Sequence, residues 1–104
     1  MIQVIASLTV DPEGQDALDR YFQVAMPLIE EVGAKVVQKI EMGEPVIGEQ
    51  PSKILMLVEY PDREAVMQVF ESPQYQSIIP ARQKAFSHYH VSFVSTNELI
   101  DSDE

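Results

Sequence analysis

No cysteine occurs in the 104 residues, and no tryptophan. The first absence excludes a disulfide framework, a thiolate-held iron–sulfur cluster and a thiol nucleophile. Glycine is scarce, at four residues, and none falls in a dinucleotide-binding or phosphate-loop pattern. Positive charge is scarcer than negative: seven basic residues stand against 17 acidic ones, for a formal net charge of −10. A nucleic-acid surface needs a basic stripe that displaces counterions, and this chain has none. The excess of acid favours solubility and says little about fold. No apolar run reaches 18 residues, so no membrane span is expected. The opening "MIQVIASLTVD" lacks a basic start and a long apolar middle, so it reads as a strand and not an export signal. Cytoplasm is therefore the expected location. These absences together favour chemistry without a cofactor, or no chemistry.

What is present is one domain's worth of chain with 45% apolar residues. "IQVIASLTV" alternates, with Ile2, Val4, Ala6, Leu8 and Val10 on one face and Gln3, Ile5, Ser7 and Thr9 on the other. Asp11-Pro12-Glu13 supplies a helix cap, a proline for the first helical position and a first-turn acid. Leu18, Tyr21, Phe22, Ala25, Leu28, Ile29 and Val32 then recur at helical spacing. Pro27 inside that stripe predicts a kink or a broken turn, and Gly33 a stop. "AKVVQKIEM" reads as a second strand, followed by a bulged extension through Gly43, Pro45 and Gly48 and a loop to Ser52. "KILMLVEY" is a third strand whose Ile54–Val58 run has no polar side.

Pro61-Asp62-Arg63-Glu64 opens a second helix, with Ala65, Val66, Val69 and Phe70 facing inward. Ser72-Pro73 restarts it, again with a cap and a first-turn proline. Tyr75, Ile78, Ile79, Arg82 and Phe86 continue at spacings of three and four, and "SHYHVSFVS" is a last strand. The order β-α-β-β-α-β predicts an α+β ferredoxin-like plait, a four-stranded antiparallel sheet with two helices on one face. It occupies residues 1–95, and residues 96–104 form an acidic, solvated tail. The face without helices would carry Ile5, Leu55 and Leu57. An apolar sheet face rarely meets water, so a homodimer through the open faces is expected.

At this point the residues carry a resemblance. "MPLIEEVGAKVV", then "EPVIG", then "LVEYPDREAVMQVFESPQYQSIIPAR" occur in one order over roughly residues 1–95. In that order and spacing the chain resembles the dimeric α+β barrel superfamily, and within it a small bacterial family of domains of unknown function marked by a Ser-Pro-x-Tyr turn. It departs from the pattern in having Gly33-Ala34 where the family has paired glycines. It departs again at Phe70-Glu71, preceded by Val69, where the family has an aromatic pair. The resemblance implies the plait and a sheet-to-sheet dimer. Its wider relatives include cofactor-free monooxygenases, haem-degrading enzymes, lactone isomerases and stress-related proteins, among which fold analogy does not choose.

Four residues are candidates for chemistry. His88 and His90 lie two apart on a strand and leave from one face. Either would serve as a catalytic base; the structural reading is that they line a wet dimer interior. A metal between them would need further ligands, which the neighbouring sequence does not provide, so no metal is expected. Arg82 stands on the apolar stripe of Tyr75 and Ile79. It is either a clamp for a ligand carboxylate or half of an ion pair with one of the many acids. Tyr75 either donates into a pocket or anchors the helix restart. Ser7 and Thr9 read as strand residues that hold interior water, and Ser72 as a cap. Two functions stay open: a small-molecule-binding protein with cofactor-independent oxygenase- or isomerase-type activity, and a non-enzymatic dimeric binding or stress-related module.

Overall fold

A computed structural model describes residues 1–49, 52–98 and 100. Along the chain run β1 (Ile2–Val10), α1 (Gln15–Glu31), β2 (Lys35–Glu41), β3 (Ile54–Tyr60), α2 (Arg63–Phe70), α3 (Pro73–Gln76), α4 (Ile79–Ala85) and β4 (Phe86–Phe93). The strands form one antiparallel sheet in the order β2-β3-β1-β4. This is the expected ferredoxin-like plait. The Cα envelope is 16 Å along its shortest axis, which fits one sheet and one layer of helices.

The alternation read from β1 sets the core. Val4, Ala6 and Leu8 are buried together with Val58 and Tyr60 of β3 and Phe86 of β4. Against them pack Tyr21 and Ala25 from α1, Ala65, Val66 and Val69 from α2, Tyr75 from α3, and Ala81 and Ala85 from α4. The other face of the sheet carries Ile5, Ser7, Leu55, Leu57, His88 and His90, which the register places side by side and which no helix covers.

Several local expectations change. Asp11 caps a turn, not α1: its Oδ1 accepts from Glu13 N at 2.9 Å and its carbonyl from Gly14 N at 2.9 Å. α1 starts only after Gly14, because this turn is pinned to the end of α4 by Asp11 N donating to Ala85 O at 2.8 Å. A Cβ on residue 14 would lie 2.2 Å from Lys84 O, so the close approach requires glycine. α1 continues through Pro27 without a break. It ends as expected at Gly33, φ +81°, with Ala34 N reaching back to Ile29 O at 3.1 Å.

The expected bulge falls inside the second strand, as a register shift between Val36 and Gln38, while residues 42–49 beyond it are irregular, as expected, but not strand. Gln50 and Pro51, within the expected loop, and residues 99 and 101–104 of the expected tail lie outside the described residues. The second crossover comes in three helical pieces, not one restarted helix. Ser72 Oγ accepts from Tyr75 N at 3.1 Å and caps α3 as expected. A further break at Ser77–Ile78 precedes Pro80, whose missing N–H cannot bond back to Gln76. Phe86 leaves the helical stripe and becomes the first residue of β4.

Candidate functional site

The helix side of the sheet brings two of the four candidates together. α3 places Tyr75, and one step on α4 places Arg82, whose Nη1 donates to Tyr75 Oη at 3.2 Å. Two further tyrosines converge there. Tyr21 Oη from α1 lies 2.9 Å from Tyr75 Oη and bonds as well to Tyr89 Oη from β4. Tyr75 Oη also donates to Tyr89 Oη at 3.5 Å. The Arg82 guanidinium lies over the Tyr89 ring, 5.3 Å from its centroid. Tyr21 and Tyr75 are 3% and 2% exposed, while Tyr89 and Arg82 are half-buried. Phe22, Phe86 and Phe70 wall the group with edge-on ring contacts.

The electrostatics follow from this burial. Desolvation pushes the Tyr21 phenol well above its usual range, and the neighbouring Tyr89 and Tyr75 oxygens add to the rise. Tyr89 is raised for the same first reason. Both therefore stay protonated at neutral pH and serve as donors, not bases. For Arg82 burial works against the charge. The bond to Tyr75 and the surrounding phenol oxygens outweigh it and raise the pKa. Among the described residues no carboxylate pairs with Arg82; the ion pair found is Lys39–Glu41, 3.4 Å, on the surface. The group is thus one cation and three hydroxyls, suited to hold an anion or a developing oxyanion.

The other two candidates are on the opposite side. Along β4 Tyr89 faces the helices, so period two sends His88 and His90 to the open face. Their rings stack with centroids 4.3 Å apart and planes 13° from parallel. His88 Nε2 lies 3.4 Å from Ser7 Oγ, and Ser7 Oγ donates to Ser52 Oγ at 2.7 Å. Ser52 is 2% exposed. Among the described residues no three His, Cys, Asp or Glu side chains gather around one point. The structure therefore separates the candidates into two pairs, one on each face of the sheet.

Two clefts, of about 350 and about 360 Å3, lie where α1 begins beside α4. One of about 280 Å3 lies on the open face. Ile5, Ile40, Leu55 and Leu57 form its floor, and Val94, Thr96 and Asn97 its rim. That rim folds back because Val94 N donates to Gln3 O at 2.9 Å and Asn97 Nδ2 to Gln3 Oε1 at 2.8 Å. Among the described residues, none of these clefts is lined by Arg82 or the tyrosines.

Tyr21, Tyr89, Ser7 and Ser52 were not among the sequence candidates. Tyr89 had a signal: flanked by two histidines on a strand, it must face away from both. Tyr21 looks like any aromatic on a helical stripe, and Ser52 like any loop serine.

The fold recurs in solved structures. A protein of unknown function from Rhodopseudomonas palustris is 21% identical, with 94% of this chain and 83% of that one covered and a TM-score of 0.77. A proposed antibiotic biosynthesis monooxygenase from Deinococcus radiodurans is 16% identical, with 97% of each chain covered and a TM-score of 0.64. An ethyl tert-butyl ether d (ethd) family protein from Bacillus halodurans is 18% identical, with 93% and 100% covered and a TM-score of 0.59. At these identities the likeness is one of fold, the ferredoxin-like α+β plait. No protein of curated function matches the chain. Residues 4–97 match the model of the domain of unknown function DUF1330, and the chain belongs to that family.

Proposed function

We propose that the chain works as a homodimer closed through its open sheet faces, and that each protomer binds a small organic anion at Arg82. One observation carries the ligand reading. A half-buried guanidinium bonds to a buried phenol, with two more phenols behind it and no carboxylate among the described residues to neutralise it. A carboxylate, enolate or phenolate would complete that set. A guanidinium backed by a phenol network also suits a developing oxyanion in a cofactor-independent oxygenation or isomerisation. The fold shared with a proposed monooxygenase is in keeping with it. The base for such a step is not His88 or His90 of the same protomer, which the sheet separates from Arg82. The apolar open face supports the dimer, and a cytoplasmic location remains part of the reading.

The test uses benzoate and salicylate as probes, followed by NMR on the full chain. Binding to wild type that falls at least tenfold in Arg82→Ala and Tyr75→Phe supports the reading. Equal binding in wild type and Arg82→Ala overturns it. For the dimer, light scattering at micromolar concentration should give twice the chain mass, and Leu57→Glu should give one. A wild-type monomer overturns that part.

A second reading, a binding or stress-related module without an active site, is favoured by one feature. Each phenol of the cluster already has a partner within the chain. Arg82 would then tie α4 to β4. In that case Arg82→Ala lowers the melting temperature and no probe binds.

A further inference from the structure

The open face holds a hydrogen-bonded chain that the anion reading does not use. Ser52 is the one buried polar residue among those described, and its Oγ accepts from Ser7 Oγ at 2.7 Å. Having given its proton to Ser52, the Ser7 hydroxyl is left as an acceptor towards His88 Nε2, 3.4 Å away. That arrangement suits the His88 tautomer with its proton on Nε2, which leaves the Nδ1 lone pair for a ligand. A ring nitrogen held by a hydrogen-bonded neighbour while the other is left free is the usual preparation of a metal-ligating imidazole. A second imidazole, His90, is stacked on the first at 4.3 Å and exposed to solvent. An imidazole binds a metal in its own plane, so the two rings must turn out of their stack to share an ion at the about 2.0–2.1 Å that zinc requires, and the exposure of His90 leaves room for that turn.

We infer that His88 and His90 form a two-imidazole site for a late first-row divalent cation of the zinc, copper or nickel class, with Ser7 and Ser52 as positioning residues. Imidazole donors without a carboxylate select these ions over magnesium and calcium. Two protein ligands leave at least two positions open. Water fills them in a single chain. In a dimer closed through this face, the partner's equivalent donors are candidates for them. The site does not depend on the anion reading, since the sheet separates the two.

Zinc titration of metal-free chain at pH 7.5 tests the inference, by calorimetry and by NMR of the imidazole carbons. Micromolar binding is expected, with both histidines shifting, at one ion per chain or one per two chains. His90→Ala, an exposed position, should weaken binding at least tenfold. Ser7→Ala should weaken it by roughly ten- to a hundredfold. It should also move the His88 15N shifts away from a single tautomer, which a purely structural serine would not do. The acidic chain attracts any cation, so magnesium is the control. Zinc that binds no better than magnesium, or binds His90→Ala as it binds wild type, overturns the site.

Discussion

The two faces of the sheet are made by the same strands and finished differently. On the helix side, β1 and β4 lend Val4, Leu8 and Tyr89 to a closed core, and every described buried polar side chain there has a partner. On the other side, the intervening residues Ile5, Ser7, His88 and His90 lie half-covered or bare. The first face closes its apolar core within one chain and leaves only the Arg82 charge unmatched among the described residues. The second carries apolar surface and unused imidazole nitrogens, which is what a surface awaiting another molecule looks like. Stability should therefore reside on one face, and dependence on concentration and on metal on the other.

The strongest way to break that contrast is to truncate one side chain on each face. Ile78 is 0% exposed, and Ile78→Ala should cost about 2–5 kcal/mol at any protein concentration. Leu57 is only half-buried in a single chain. Leu57→Ala should cost less, and its cost should grow as the protein is concentrated and the dimer forms. Denaturant melts at two concentrations decide it. Equal, concentration-independent losses would mean that the open face is not an interface.

Alkaline pH acts on the helix side alone. Burial holds the Tyr60 phenol up at about 12 against 10 in the unfolded chain, with Tyr75 adding to the rise. Tyr21 and Tyr89 are raised as well. A raised phenol contributes its full stability below pH 10. Above that the unfolded chain ionises while the folded one does not, so stability falls between about pH 10 and about 12. Tyr60 alone accounts for roughly 2–3 kcal/mol of that fall. Absorbance of tyrosinate should stay low until the fold melts, then rise in one step. Gradual ionisation of three tyrosines with the circular dichroism unchanged would contradict the buried cluster.

The plait was legible because period two and period 3.6 are written plainly in β1, α1 and β3. The open face was legible too, since Leu55 and Leu57 alternate with Ile54, Met56 and Val58, which pack on the core. The division of the candidates was within reach of the same rule. Tyr89 between His88 and His90 fixes which face each takes, once helices are assigned to one side. What the pattern could not supply was convergence. Tyr21 and Tyr89 are 68 residues apart, and Ser7 and Ser52 are 45 apart. No local spacing records those meetings. The start of α1 was misread for a related reason: Asp11-Pro12 is a good cap in isolation. What moves the helix start is the contact of Gly14 with Lys84, which only the folded chain makes.

The smallest effect sharpens the contrast most. Ser72 Oγ accepts from Tyr75 N at 3.1 Å and donates to Val69 O at 2.8 Å, joining α2 to α3 and setting Tyr75 in place. Ser72→Ala removes the cap at a cost of about 1 kcal/mol, which for a domain of this size lowers the melting temperature by about 4–8 °C. The residue lies on the helix side, a sheet's thickness from the open face. The dimer dissociation constant and the zinc affinity should therefore stay within about threefold of wild type, as expected of distant, independent sites. A larger shift in either would mean that the two faces are coupled through β4, whose alternate residues serve both. The helix-side cluster would then set the geometry of His88 and His90.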